Sequence, residues 1–295
     1  MDVIKLDNAN IVETITNVIN TIFNNLFSSI DNSAYATLDD ITFISTDIIK
    51  ESAMEKLLGS NSSTGIIIIA NAVLVGLAIY YAIRYMSSIY TNTQIERPYQ
   101  FIFKLLVISA FVNCSYFVCE QVININFLVS SSIREVGENI LSTNISFENL
   151  IAKINTIVSN ETTLNVFSFD GMIKSFTSYG LFNLLFSYSL RYIMIKFFIL
   201  IAPFMIITLL NNSTSWIFKS WIKSVISLLF VQSFISVILL IIFASDFSGN
   251  NTFTKLMYIG CIYALVRANS YTRQILGGIS TDVSANISNL KKMIR

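Results

Sequence analysis

Long runs of apolar residues without a charged side chain constrain the fold of this chain more than any other feature. Residues 65–83 hold no charged side chain over 19 positions, which corresponds to about 28 Å of α-helix. A helix of that length crosses the hydrocarbon core of a bilayer, which is about 30 Å thick. Charged residues make up 13% of the sequence, about half the share found in a soluble domain. The chain is therefore predicted to be a membrane protein rather than a soluble globular one.

Four further apolar runs follow, each with charged residues near an end. They occupy residues 101–119, 192–210, 222–244 and 253–270. Together with 65–83 they predict an all-α, polytopic membrane protein with about five transmembrane helices and additional amphipathic extracytoplasmic helices.

The third run is too long for one straight span, because it extends back to residue 175. Arg191 and Lys196 interrupt it. We place the span at 192–210 and interpret the preceding residues as an apolar extension. The alternative is a hairpin of two short helices over 175–210, which would raise the number of spans to six.

The basic residues predict the orientation. They lie between the first two spans (Arg84, Arg97, Lys104), between the third and fourth (Lys219, Lys223) and after the fifth (Arg267, Arg273, Lys291, Lys292, Arg295). These connections alternate along the chain, so they fall on one side of the membrane, and the positive-inside rule makes that side cytoplasmic. We expect the N-terminus outside, the C-terminus inside, and residues 120–178 as an outer helical loop.

The segments outside the spans differ in charge and pattern. Residues 1–64 carry nine acids against three bases and form an acidic extracytoplasmic head, whereas 271–295 form a basic cytoplasmic tail. Apolar residues at three- and four-residue spacing predict amphipathic helices over 11–30 and 41–58. Two interpretations remain compatible for these helices: packing on the membrane surface or on each other, and contact with a second copy or a partner. The Gly277–Gly278 pair is either a helix C-cap or a hinge.

The composition excludes several kinds of chemistry. The chain has no His, which excludes Ser-His-Asp and Cys-His nucleophile systems and HExxH zinc sites. No phosphate-binding P-loop or GxGxxG motif is present, and the three Cys lie in apolar stretches. The sequence therefore predicts no catalytic residue, no metal site and no cofactor, and we expect that the protein is not an enzyme.

Arg191 and Lys196 are the two charged residues deep in an apolar segment. Charged groups at the centre of a bilayer cost about 2.5–3.5 kcal/mol, so they usually face protein or water. One interpretation is that they line a passage for an anion or nucleic acid. The alternative is that both sit at the outer interface and extend towards the headgroups.

Other residues suggest anchoring and helix packing. Trp216 and Trp221 lie among lysines, which is typical of anchoring at a headgroup boundary, or of a short helix lining a cytoplasmic mouth. Pro203 lies inside the third span and favours a kink. Ala72 and Gly76 form a small-xxx-small pair that permits close helix approach in a bundle or oligomer.

Three stretches carry a resemblance to a known family. They are residues 213–232 (STSWIFKSWIKSVISLLFVQ), 267–271 (RANSY) and 277–281 (GGIST). With the outer head, five spans and a large loop after the second span, they resemble the VirB6/TrbL family, the polytopic inner-membrane subunit of type IV secretion and conjugation systems, in its Firmicute form. The resemblance covers about residues 65–290 by layout.

The resemblance implies a function and partners. It implies a structural channel or scaffold subunit in the bacterial cytoplasmic membrane that helps pass DNA or protein. It also implies a homo-oligomeric ring, a pentamer in that family, with a VirB4-type ATPase, a stalk or pilus component, membrane lipid and single-stranded DNA in transit as partners. DNA contact would use inner basic residues such as Lys219, Lys223, Arg267 and Arg273, because the head is acidic.

Two other classes of protein are weaker fits. A small-molecule or ion transporter often shows inverted repeats and intramembrane carboxylates, and the sequence shows neither. A membrane enzyme would need side chains that act as general acids or bases, and this chain has no His and no predicted buried acid for that role.

Overall fold

The computed structural model describes residues 14–15, 17–18, 21, 32–59, 65–91, 96–158, 169–245 and 252–277. Within these ranges the protein is helical and contains no β-strand. The helices are α1 (Asn32–Thr42), α2 (Asp47–Lys50), α3 (Ser52–Leu58), α4 (Ile66–Thr91), α5 (Pro98–Asn113), α6 (Ser115–Leu141), α7 (Phe147–Val158), α8 (Phe169–Ile207), α9 (Ser215–Ala244) and α10 (Thr252–Leu276). A 3₁₀ turn, Thr208–Leu210, follows α8. Most of the helix predicted over 11–30, and the tail beyond residue 277, lie outside the described residues.

The fold is an all-α polytopic membrane fold. Three described helices are long and apolar enough to cross a membrane: α4, the stretch Ser175–Leu210, and α9. The pair α5 and α6, bent by 57° at its junction, passes the same test as one broken span. The predicted spans at 65–83, 192–210 and 222–244 therefore fall on span-competent helices.

The region after the second predicted span differs from the expected loop. The helix does not end near Glu120, because α6 continues to Leu141 over 27 residues. Its Asn and Ser side chains are accommodated in the bundle, since Gln232 Nε2 of α9 donates a hydrogen bond of 2.8 Å to Ser130 Oγ. Much of the predicted outer loop is thus a helix packed along α9.

Residues 175–210 form one helix rather than a hairpin. Helix α8 runs without interruption from Phe169 to Ile207, so the two-helix alternative is wrong. Pro203 lies inside α8, which continues four residues beyond it. The fifth predicted span corresponds to α10, a 25-residue helix. It packs on α8 and α9 but is not among the helices that are apolar enough to meet the span criteria. Asn269, Ser270 and Thr272 are buried in this helix.

Cross-helix hydrogen bonds fix the helix directions. Trp221 Nε1 donates to Phe198 O at 3.2 Å, and Arg191 Nε donates to Leu228 O at 3.0 Å, so α8 and α9 are antiparallel. Helix α10 returns beside α9, and Tyr188 Oη donates to Leu265 O at 3.0 Å. Helix α6 runs parallel to α9, because Ser130 lies beside Gln232 and Gly137 lies beside Leu240.

Candidate functional site: a charged face beside the spans

The segment 43–58 lies against the middle of the bundle. Its apolar residues are buried with residues of α6, α8 and α9; this cluster contains Ile44, Ile48, Ile49, Met54, Leu58, Tyr116, Cys119, Ile123, Ile195, Phe198, Ile199, Ala202, Leu228 and Leu229. The single amphipathic helix predicted over 41–58 is broken in the structure. Ile41 lies in α1, residues 43–46 are not helical, and α2 and α3 follow as two short helices. Ile44, Ile48, Met54 and Leu58 are buried as the pattern predicts, whereas Leu57 is exposed. The apolar side of α2 and α3 contacts protein in the described residues, which leaves their charged side outward.

Two ion pairs join this segment to the bundle. Lys196 Nζ of α8 contacts Glu51 Oε2 and lies 4.7 Å from the ring centroid of Tyr192. Lys50 Nζ lies 3.4 Å from Glu120 Oε1 of α6. Side-chain exposure remains substantial, at 64% for Lys50 and 49% for Glu51. We call Lys50, Glu51, Glu120 and Lys196 the charged face.

The charged face lies far from the ends of the apolar stretch of α8. Lys196 is 14 residues from Leu210 and 21 residues from Ser175 in the apolar stretch Ser175–Leu210. At 1.5 Å per residue these separations are about 21 Å and 31 Å. A groove of 580 Å³ lined by Asp40, Asp47 and other polar residues adjoins it. Polar surface and apolar span therefore lie side by side.

Arg191 does not belong to this face. Its side chain is fully buried, Nε donates to Leu228 O at 3.0 Å, and a terminal nitrogen donates to Thr42 O at 3.2 Å. A fully buried side chain neither lines a passage nor extends to the headgroups, so both predicted roles are wrong for this residue. Arg191 instead ties α8 to α9 and to the end of α1.

The other candidate contact residues lie towards one end of the bundle. Lys219 and Lys223 are exposed one turn apart near the start of α9. Arg267 is exposed and Arg273 half-buried near the end of α10, and the antiparallel packing of α9 and α10 brings these segments towards the same end. We call this the basic end.

The first predicted basic cluster joins the basic end as well. Arg84 of α4 and Lys104 of α5 line a cleft of 440 Å³ together with Asn211 and Thr214 of the turn between α8 and α9. Lys104 Nζ forms an ion pair with Glu96 in this cleft. Three basic clusters that are distant in sequence are thus gathered at one end.

The opposite end is acidic and built around a helix cap. Asp39 accepts hydrogen bonds from the N–H groups of Phe147 and Glu148, at 3.1 Å and 3.4 Å, and so caps the start of α7. Glu138 Oε1 accepts from Ile145 N at 3.2 Å, and the Arg134 guanidinium lies 3.9 Å above the Phe43 ring. Burial raises the pKa of the Asp39 carboxyl above 3.8, and the two backbone hydrogen bonds oppose this shift. Sequence reasoning missed this cap because its partners are 108 residues apart.

Polar side chains inside the bundle connect helices. Besides its bond to Ser130, the Gln232 amide accepts a hydrogen bond from Asn126 Nδ2 at 3.3 Å. Asn71 Nδ2 donates to Asn113 Oδ1 at 3.0 Å between α4 and α5. These contacts satisfy amide groups that would otherwise be costly beside lipid.

The residues predicted for anchoring and assembly are surface residues for the most part. Trp216 is 66% exposed, whereas Trp221 packs against Phe218. Ala72 is exposed, and a methyl group added at Gly76 would meet no atom within 4 Å. The Ala72–Gly76 pair therefore faces outward. Pro203 is buried inside α8.

The described residues contain no group of three or more Cys, Asp or Glu that could hold a metal ion. The charged face offers two ion pairs and exposed hydrogen-bonding groups beside apolar helices. Comparisons with protein-family models, with curated proteins and with solved structures found no match for this chain.

Proposed function

We propose that this chain is a structural channel or scaffold subunit of a conjugative type IV secretion system in a bacterial cytoplasmic membrane, helping DNA or protein substrate to cross. In this proposal several copies form a ring, and the charged face of each copy borders the passage. The proposal begins from the VirB6/TrbL resemblance of residues 213–232 and 267–281.

The charged face is the observation that carries the proposal. The apolar stretch Ser175–Leu210 has 36 residues, about 54 Å of helix, and is longer than the bilayer core of about 30 Å. Lys196 lies about 5 Å from the midpoint of this stretch and about 6 Å inside the outer end of the predicted span 192–210. Exposed Lys50 and Glu51 beside it would each cost free energy if they faced lipid, up to the value of about 2.5–3.5 kcal/mol that a charge costs at the bilayer centre. Water or a neighbouring copy on that side removes this cost, which favours a ring around an aqueous passage.

The charge distribution between the two ends supports the proposed orientation. Three basic clusters share the basic end, which the positive-inside rule assigns to the cytoplasm. Asp39, Glu138 and Glu148 lie towards the other end, as expected for a surface outside the cell membrane. The exposed Lys219, Lys223 and Arg267 and the half-buried Arg273 would then meet the phosphates of a DNA substrate at the cytoplasmic mouth.

The experiment is deletion of the gene in its native host, followed by measurement of conjugal transfer. We expect transfer to be abolished with growth unchanged, and to be restored by the wild-type gene. A Lys196→Glu variant should restore transfer poorly, and the double variant Lys196→Glu/Glu51→Lys should restore it better, because it re-forms an ion pair. Exposed Lys56 provides the control Lys56→Glu, which should behave as wild type. Normal transfer after deletion would refute the proposal.

A further inference from the structure

An apolar pocket of 320 Å³ lies beside the junction of α5 and α6, between that junction and helices α8 and α9. Its walls include Phe111, Val118, Ile199, Trp221 and Ile226. A volume of this size falls within the range of small-molecule sites, about 300–1,000 Å³. No residue of the charged face lines it, so it is a separate feature of the molecule.

The pocket is elongated and opens at the side of the bundle. Its lining residues on α9 run from Phe218 to Leu229, a length of about 16 Å along the helix axis. Phe111, Val118 and Ile226 are between 42% and 55% exposed, so the opening faces the surface on which lipid lies. This shape fits an extended hydrocarbon chain better than a compact ligand.

One polar group is buried in this apolar wall. Ser115 is one of the lining residues of the pocket, and its Oγ is buried and has no hydrogen-bond partner. Buried hydroxyl groups normally have a partner, so an occupant that supplies an acceptor would complete this site. Because α6 and α9 run parallel with Ser130 beside Gln232, Ser115 lies near the level of Ile217, close to one end of the pocket.

Positive charge lies near the same end. Lys219 and Lys223 are exposed on α9 and alternate in sequence with the lining residues Phe218, Trp221 and Ile222. Exposed lysines at a headgroup boundary attract anionic lipids. The order of these features matches the order of groups in a phospholipid. The apolar pocket corresponds to the acyl chain, the Ser115 hydroxyl to the ester, and Lys219 and Lys223 to the headgroup.

We propose that the apolar pocket binds one acyl chain of an anionic phospholipid. The Ser115 hydroxyl donates to an ester carbonyl oxygen, and Lys219 and Lys223 contact the headgroup. This inference uses none of the charged-face residues. It assigns Lys219 and Lys223 to a lipid headgroup, whereas the proposed function assigns the same two lysines to the phosphates of DNA.

The test is quenching of Trp221 fluorescence by brominated phospholipids in vesicles containing the full-length protein. The chain has two Trp, so a Trp216→Phe variant leaves Trp221 as the one fluorophore, in the pocket wall. Brominated phosphatidylglycerol should quench with an apparent affinity about fivefold or more above that of brominated phosphatidylcholine, since each nearby lysine contributes about 1 kcal/mol. Lys219→Gln/Lys223→Gln should remove this preference, and Lys56→Gln should keep it.

A matched pair of valines on α6 tests the pocket itself. Val118 lines it and Val129 does not, and the two are similarly exposed, at 42% and 46%. Val118→Phe fills the space and should reduce quenching, whereas Val129→Phe should not. Equal quenching by both lipids, or equal effects of the two valine variants, would overturn the proposal. Loss of lipid quenching as the protein-to-lipid ratio rises would place a second copy in the pocket and overturn it as well.

Discussion

Arg191 shows how a charged side chain is accommodated inside an apolar bundle. Two of its nitrogens donate to the backbone carbonyls of Thr42 and Leu228, while a third has no hydrogen-bond partner. Hydrogen bonds from a charged group contribute about 1.5–3 kcal/mol each, which partly offsets the cost of burying the guanidinium. Arg191 therefore stabilises the contact between α8, α9 and the end of α1.

Arg191→Ala is expected to destabilise the protein by about 2–4 kcal/mol, because it removes both hydrogen bonds and leaves a cavity. Arg191→Met should cost less, since it retains much of the volume. The measurement is thermal unfolding of the purified protein in detergent. Arg267 is exposed, so the control variant Arg267→Ala should change the stability of the protein by no more than about 0.5 kcal/mol. If Arg191→Ala changed the stability as little as Arg267→Ala, this account of Arg191 would be contradicted.

Asp39 gives a pH-dependent contribution to stability. Its pKa in the folded protein is raised above 3.8, chiefly by burial, so its contribution is full at pH below 3.8 and is lost as the pH rises through the raised pKa. Asp39→Asn keeps an acceptor for the α7 cap without the charge. The unfolding temperature of Asp39→Asn minus that of the wild type should therefore be larger at about pH 7 than at about pH 4.

Asp39→Ala is the matched variant that removes the cap. It should be less stable than Asp39→Asn at both pH values by about 1 kcal/mol, the typical contribution of a capping side chain. A pH-independent difference between the wild type and Asp39→Asn would show that the carboxyl is not perturbed by burial.

The sequence identifies which residues are unusual but not their partners. Arg191 and Lys196 stand out because they interrupt an apolar run. Glu51, the partner of Lys196, is 145 residues away, and the Thr42 carbonyl that Arg191 contacts is 149 residues away. Helical periodicity describes each segment alone, so contacts of this kind depend on tertiary packing that no local pattern encodes.

Close helix approach depends on glycine at places other than the predicted one. A methyl group at Gly137 would collide with Cδ1 of Ile145 and Cδ1 of Leu240, so α6 and α9 approach closely there. Gly76, in the predicted small-xxx-small pair, faces open space. Within the described residues, glycine therefore permits close packing between α6 and α9 at Gly137 and between α8 and α10 at Gly180, but not at Gly76 of α4.

Gly137→Ala requires Cδ1 of Ile145 and Cδ1 of Leu240 to move. Because these are the ends of flexible side chains, the variant is expected to destabilise the protein by about 1 kcal/mol, the low end of overpacking costs. Gly76→Ala should be neutral or stabilise by up to about 1 kcal/mol, because alanine favours the helix. Thermal unfolding of the two variants in the same detergent compares them directly. Equal stability of the two variants would contradict the close approach of α6 and α9.

The sequence locates the apolar part of each helix but not its ends. Helix α4 covers residues 66–83 of the first predicted span and continues past Arg84 to Thr91, and α6 continues past Glu120 to Leu141. The C-cap interpretation of Gly277 is confirmed, because Gly277 has a φ of 75° and its N–H donates to Arg273 O at 2.8 Å. The sequence predicts helix within 120–178 but places it in an outer loop, whereas α6 continues the second predicted span to Leu141 and packs along α9. The hydrogen bond from Gln232 to Ser130 joins residues 102 positions apart, a contact that no local pattern encodes.

Helix α4 exposes most of its apolar side chains, as a helix that faces lipid does. In α4, 11% of the most apolar window is buried, and residues such as Ile69 and Val75 are largely exposed. Such a surface is stable in lipid and would aggregate in water. The all-α membrane class could be predicted from the sequence, because apolar length alone decides it.

The topology of the whole molecule depends on α10. If α4, the α5–α6 pair, α8 and α9 each cross once, the two chain ends lie on the same side unless α10 also crosses. We expect α10 to cross, with its buried polar residues shielded by α8 and α9, and the N-terminus outside. Reporter fusions should then show an extracytoplasmic N-terminus and a cytoplasmic C-terminus; both ends on one side would contradict a fifth span.

The central claim is that the charged face borders water although it lies beside apolar spans. The direct measurement is the reaction of single cysteines with a membrane-impermeant thiol reagent in cells, after Cys114, Cys119 and Cys261 are replaced by Ala. Lys50→Cys on the charged face should react rapidly, whereas Val73→Cys on the lipid-facing side of α4 should react only after detergent is added. Equal protection of both positions in intact membranes would contradict an aqueous passage at the charged face.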